Sequence, residues 1–146
     1  MTRALPEGDA GRWPEEVPMS IAESRVTVML PITDPDRAQQ FYGECLGLAY
    51  DGRHGADEVM YQLAGGARLV LRVLPDAHPS PNTAMSFEVE DVTAEVAALE
   101  SRGVTFEDYD SPGFTSVGHI VDDGDVRAAW FLDPDRNVLC LHQVTG

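Results

Sequence analysis

Two side chains of this sequence, Glu88 and His142, could exchange a proton if the chain brings them to one surface. Each lies in a run of alternating residues, MSFEVE and VLCLHQV, with the period of a half-buried strand. Alternation puts Glu88 on the same side as Ser86, and His142 on the same side as Cys140. A carboxylate and an imidazole so placed suit general acid–base work. The competing reading pairs Glu88 with Arg68 or Arg72 and leaves His142 as a solvated strand end. Cys140 is a nucleophile only with a base close enough to form thiolate. His142 lies about 7 Å further along the strand, so an inert buried thiol is expected. His119, in GFTSVGHIV, belongs to a loop that could close over a pocket and touch a ligand. His54 and His78 fall in glycine- or proline-rich turns and are expected to be exposed. The run DDGD at 122–125 lacks the spaced ligands of a calcium loop, and a hairpin turn explains it.

Charge narrows the partners. Ten basic residues against 25 acidic ones give a net charge of −15. Such a surface repels nucleic acid and anionic membranes, whose affinity rests on basic side chains. It favours a neutral or cationic small molecule. Every basic residue is arginine, so no side-chain amine exists for Schiff-base chemistry or for a P-loop. Two cysteines, Cys45 and Cys140, are too few for a disulfide framework or a zinc cage, and imply a reducing, cytoplasmic setting. Residues 1–22 read as a flexible acidic leader without the apolar stretch of a signal peptide, with Trp13 as a candidate anchor.

The elements that must position these residues are written twice. In RVTVMLPI, Val26, Val28, Leu30 and Ile32 alternate with Thr27, Met29 and Pro31, which predicts a strand. Asp34 and Pro35 then open a helix that buries Ala38, Phe41, Tyr42, Cys45 and Leu46 and stops at Gly47. The pattern returns at AMSFEVEDVTAEVAALESRG, with cap Asp91, apolar Val92, Val96 and Leu99, and stop Gly103. The two caps are 57 residues apart and the two stops 56, as a duplicated unit requires. Short strands follow each helix: Leu48–Gly52, Glu58–Leu63 and Arg68–Leu74, then Thr105–Tyr109, Val117–Asp122, Arg127–Leu132 and Val138–Val144. Each half reads β-α-β-β-β. One domain over 23–146 is expected, with modules at about 24–75 and 83–144 joined by a proline-rich linker at about 76–82.

The stretches DPDRAQQFYGECLGL, AMSFEVEDVTAEVAALESRGV and AAWFLDPDRNVLCLHQ resemble the vicinal oxygen chelate superfamily. That superfamily includes glyoxalase I, extradiol dioxygenases, fosfomycin resistance enzymes and bleomycin-binding resistance proteins. The resemblance implies an α+β fold in which two βαβββ modules form a curved mixed β-sheet around a cleft, the glyoxalase/bleomycin resistance fold. Homodimers are usual in it. Where the family has glycine in the D-P-x-G-N turn, this chain has Arg136, so the turn is expected to be strained or reshaped.

Enzymes of that family hold a divalent ion with His, Glu or Gln from four strands, and carrying those positions over gives Thr27, Val70, Ala84 and Cys140. Val70 and Cys140 share the offset of 70 that separates Tyr61 from Phe131. Such a set cannot grip a transition ion, so no metal and no other cofactor is expected. Alternation then lines the concave side with Thr27, Met29, Arg68, Val70, Arg72, Ser86, Glu88, Val138, Cys140 and His142. One of Trp130 and Phe131 joins them while the other enters the core; Trp130 is carried as the candidate. Tyr109 and Phe114 flank a Pro112-Gly113 turn at the rim. The leading expectation is a metal-free homodimer that sequesters an apolar or aromatic small molecule, cationic guests included. The alternatives are a divergent lyase, isomerase or dioxygenase using Glu88 and His142 or an unusual metal site, and an accessory subunit docking by its leader.

Overall fold

The computed structural model describes residues 20–146. Readings of the leader and of Trp13 therefore lie outside the described residues, except that Ser20 opens a single turn at Ile21–Glu23. Module one runs β1 (Thr27–Ile32), α1 (Pro35–Gln39), β2 (Ala49–His54), β3 (Glu58–Gln62) and β4 (Arg68–Val73). Module two runs β5 (Thr83–Glu88), α2 (Val92–Ser101), the two-residue strands β6 (Asp110–Ser111) and β7 (Phe114–Thr115), then β8 (Val121–Asp122), β9 (Val126–Leu132) and β10 (Val138–Val144). The main sheets are ordered β1-β4-β3-β2 and β5-β10-β9-β8, and in each the first strand lies parallel to the last. This is the expected α+β architecture.

The caps act as their sequence implies. Asp34 accepts from the amides of Asp36 and Arg37, and Asp91 from that of Ala94. Gly47 and Gly103 end the helical turns at φ 72° and 95°, where a side chain would be strained. The first helix departs from expectation. After Gln39 it widens into a π-turn, Gln40–Cys45, with the Leu46 amide bonded to the Phe41 carbonyl. The Tyr61 ring presses there: its hydroxyl donates to the Gln39 carbonyl at 3.2 Å, and a Cβ on Gly43 would stand 3.5 Å from it.

Module two also departs from the expected strands. Thr105–Tyr109 is reduced to one bridge, Phe106 with Phe131, because the chain then leaves the sheet as the β6–β7 hairpin around Pro112-Gly113. Of the next run only Val121–Asp122 joins the sheet, since Gly118 and His119 both take positive φ and fold the chain into a tight turn closed by Val117 and Ile120. The DDGD run is a turn: Asp123 accepts from the amides of Asp125 and Val126.

One face of each sheet packs with both helices into a single core containing Leu30, Leu69, Leu71, Phe131, Leu139 and Leu141. Phe41 of module one meets Phe131 of module two at 6.3 Å between ring centres. The modules are further latched by the turn Asp133–Asn137. The Tyr42 hydroxyl donates to Asp133 Oδ2 at 2.7 Å, and Asn137 Nδ2 donates to the same oxygen and to the Pro31 carbonyl. Asp133 Oδ1 accepts from the amides of Asp135 and Asn137. Asp135 in turn accepts from Thr33 and Arg37 of module one. Burial pushes the Asp133 carboxyl up from its ordinary range, and burial followed by the Asp133 charge pushes the Tyr42 phenol up.

Arg136 sits within this latch at φ 72°, so the turn keeps the glycine-type conformation and bears the strain. Arg136→Gly is expected to stabilise the fold by about 1 kcal/mol. Chemical denaturation reads this as a higher midpoint with an unchanged slope.

Candidate functional site

The sheet faces turned away from the shared core carry the candidate residues. On module one, register pairs Thr27 with Arg68, Met29 with Val70 and Pro31 with Arg72, so these side chains share one face. Met29 is 55% exposed there. Neither arginine faces Glu88: Arg72 bonds Glu58 at 2.8 Å, and Arg68 approaches Asp51 at 4.0 Å. Glu58 also meets His54, and the hydrogen bonds from His54 and Arg72 hold its carboxyl below the usual range.

On module two, Ser86 pairs with Cys140 and Glu88 with His142 across the parallel β5–β10 ladder. Trp130 pairs with Cys140 from β9 and lies on the same face, while Phe131 is fully buried in the core. That settles the choice alternation left open. Ser86 Oγ and His142 Nδ1 lie within hydrogen-bond distance at 2.6 Å, and His142 Nε2 stands 3.8 Å from Glu88 Oε1. The Ser86–His142 contact is of hydrogen-bond length, whereas the His142–Glu88 contact is too long for direct proton transfer. Burial pushes the Cys140 thiol up, which disfavours the thiolate.

The indole is built into an aromatic cluster. Tyr109 and Phe114 lie 5.5 and 5.4 Å from Trp130, and 5.0 Å from each other, all edge-on or tilted. Trp130 Nε1 donates to Thr83 Oγ1 at 3.0 Å. Thr83 was missed by sequence reasoning, although a half-buried indole N–H asks for such an acceptor. Beside the cluster opens a cavity of about 440 Å³ bounded by Tyr109, Leu132, Val138, Glu107, Pro79 and Pro81. Its size suits a small organic molecule. The expected linker thus forms one wall of it.

His119 stands apart from the other candidates. Its left-handed φ of 71° turns it from the outward face toward the core side, where it stacks on Phe106 at 6.0 Å. Nδ1 lies 2.9 Å from Asp108 and Nε2 3.0 Å from Glu100 of α2. It does not border the aromatic cavity.

The four positions a metal would use do not fit one. Thr27, Val70 and Cys140 are as expected on the outward face, and Ala84 is taken up by a bulge between Thr83 and Met85. Among the described residues, no three His, Cys, Asp or Glu side chains converge as an ion requires. Nor is any described helix long and apolar enough to cross a membrane.

Comparison with known proteins gives a family. The model of the Glyoxalase/Bleomycin resistance protein/Dioxygenase superfamily matches residues 25–141. No protein of curated function matches the chain. Among solved structures, the chain is similar to TnmS3, an antibiotic binding protein from Streptomyces sp. CB03234, at 26% identity over 86% of this chain and 100% of that one, with a TM-score of 0.63. A putative glyoxalase family protein from Bacillus anthracis shares the fold at 16% identity and a TM-score of 0.66, over 84% of this chain and 95% of that one. A lactoylglutathione lyase from Agrobacterium tumefaciens does so at 18% and 0.61, over 82% and 92%. With the two βαβββ modules and their latch in place over the matched span, the chain belongs to the Glyoxalase/Bleomycin resistance protein/Dioxygenase superfamily.

Proposed function

We propose that this protein binds and sequesters a small apolar or aromatic molecule, best suited when cationic, on the outward face of β5, β9 and β10, without metal and without converting it. The observation that carries this is the aromatic cluster of Trp130, Tyr109 and Phe114 beside an open cavity, on a face whose family metal positions hold no suitable donor set. Aromatic rings gain from stacking and from cation–π contact, and the carboxylates of Glu107 and Asp135 in the cavity wall, set against the guanidinium of Arg136, together with the net charge of −15 favour a positive guest. The similarity to TnmS3, itself an antibiotic binding protein, points the same way. A homodimer in the cytoplasm completes the reading. The exposed Met29, flanked by Arg68 and Arg72, offers an apolar half-face for a second copy to close against.

Ethidium, a planar and permanently cationic aromatic, is a suitable probe. Its titration is expected to quench tryptophan emission to saturation, with the dye recovered unaltered and two chains per complex by native mass spectrometry. Turnover of a bound compound that Glu88→Gln and His142→Ala both abolish would overturn the binding reading. So would one metal ion per chain retained through dialysis.

A further inference from the structure

We infer that His119 is a positioning residue, an imidazolium clamp that holds the β6–β7 hairpin, and with it Tyr109 and Phe114, against Trp130. The inference rests on the ligand face proposed above, and it concerns how that face is kept in shape. The segment from Asp108 to His119 leaves the sheet after Glu107, whose amide bonds the Trp130 carbonyl, and rejoins it at Val121. Between those points the hairpin is largely exposed. On its outward side it touches the domain through Tyr109 and Phe114 on Trp130. On its other side His119 ties it down.

Both ring nitrogens of His119 face carboxylate oxygens, Nδ1 toward Asp108 at 2.9 Å and Nε2 toward Glu100 at 3.0 Å. Nδ1 is hydrogen-bonded to Asp108 and Nε2 is in ion-pair contact with Glu100; since a carboxylate only accepts, an imidazolium with a proton on each nitrogen satisfies both at once. Glu100 belongs to the last turns of α2, and Asp108 stands at the root of the hairpin, also accepting from Ser116. The pair therefore binds the hairpin root to a rigid helix through one cation. Phe106 supplies the floor beneath the ring. His119 takes its left-handed backbone as the second corner residue of the tight turn closed by Val117 and Ile120, which aims its ring toward Asp108 and Glu100.

Glu100 and Asp108 are the charged groups that face the ring, and both are acidic. The Asp108 hydrogen bond, with the charges of both carboxylates, holds the His119 pKa above its ordinary value. The contribution of the clamp is thus complete below the usual histidine range and is lost as pH rises through the raised value. Above it, one nitrogen turns a lone pair toward a carboxylate, and the hairpin is released from α2. The carboxylates then repel one another.

The test uses the full chain carrying Trp13→Phe, so that emission reports Trp130 alone. Without ligand, emission is expected to shift to the red as pH rises from about 6 to about 9. Ethidium affinity should fall about threefold over the same range. This opposes the general trend, since a more negative protein attracts a cation better. His119→Asn tolerates the left-handed backbone and removes the cation, so it should show the released emission at every pH. Glu100→Gln should move the midpoint to lower pH. Unchanged emission across the range, or the same transition in His119→Asn, would overturn the clamp. An emission shift without ethidium binding would support the clamp and sink the proposed function instead.

Discussion

Asp133→Ala is expected to destabilise the protein by about 3–5 kcal/mol, the usual cost of emptying one side of a buried polar network. One carboxylate here satisfies the Tyr42 hydroxyl, the Asn137 side-chain amide and the backbone amides of Asp135 and Asn137. Alanine leaves the Tyr42 hydroxyl and the Asn137 and Asp135 backbone amides without their acceptor, while the Asn137 side chain keeps the Pro31 carbonyl, and each buried orphan costs about 1–3 kcal/mol before any relaxation. For a domain of this size the loss corresponds to a melting temperature lower by roughly 10 °C. Asp133→Asn is the informative control, because it keeps one acceptor oxygen and discards the charge. Since burial raises the carboxyl pKa of Asp133, its charged form is the penalised one, and its contribution to stability falls as pH climbs through the raised value. Denaturation of the wild type and the Asn variant at acid and neutral pH should show that slope in the first and not in the second.

Trp130→Ala is expected to weaken ethidium binding by about 2 kcal/mol, or roughly 30-fold. The indole gives the largest ring of the cluster and sets the positions of Tyr109 and Phe114, which pack side by side against it. Its removal takes away both a stacking surface and the wall that orders its neighbours. Trp130→Phe keeps a ring and should retain most of the affinity. Thr83→Val leaves the Nε1 proton without its partner and should cost about 1 kcal/mol. Isothermal titration separates these. Equal affinity in wild type and Trp130→Ala would place the guest elsewhere.

Much of this arrangement was legible in the chain because its signals are local. Asp34, Pro35 and Gly47, repeated by Asp91 and Gly103, announce two strand–helix units within a few residues of each event. Strand alternation likewise assigned Met29, Ser86, Glu88, Cys140 and His142 to outward faces, and register bears out that placement. What escaped depends on contacts distant in sequence. Tyr42 and Asp133 are 91 residues apart, and nothing near either names the other. The π-turn at Gln40–Cys45 answers to Tyr61, a residue of another strand. The surroundings of His119 escaped for a different reason. Alternation carries no information through Gly118 and His119, where two successive positive φ values redirect the side chain.

Each sheet draws its strands from one module alone, and the polypeptide passes between them once, through residues 74–82. Severing that bridge removes no inter-strand hydrogen bond. Two separately expressed halves should therefore recognise one another by burying their apolar faces, as subunits do. Yet they are not interchangeable: the latch carboxylate Asp133 has Leu63 as its counterpart at the offset of 70, so a pair of identical first halves would lack it. Duplication has thus been followed by division of labour, one half keeping the bolt and the other the socket.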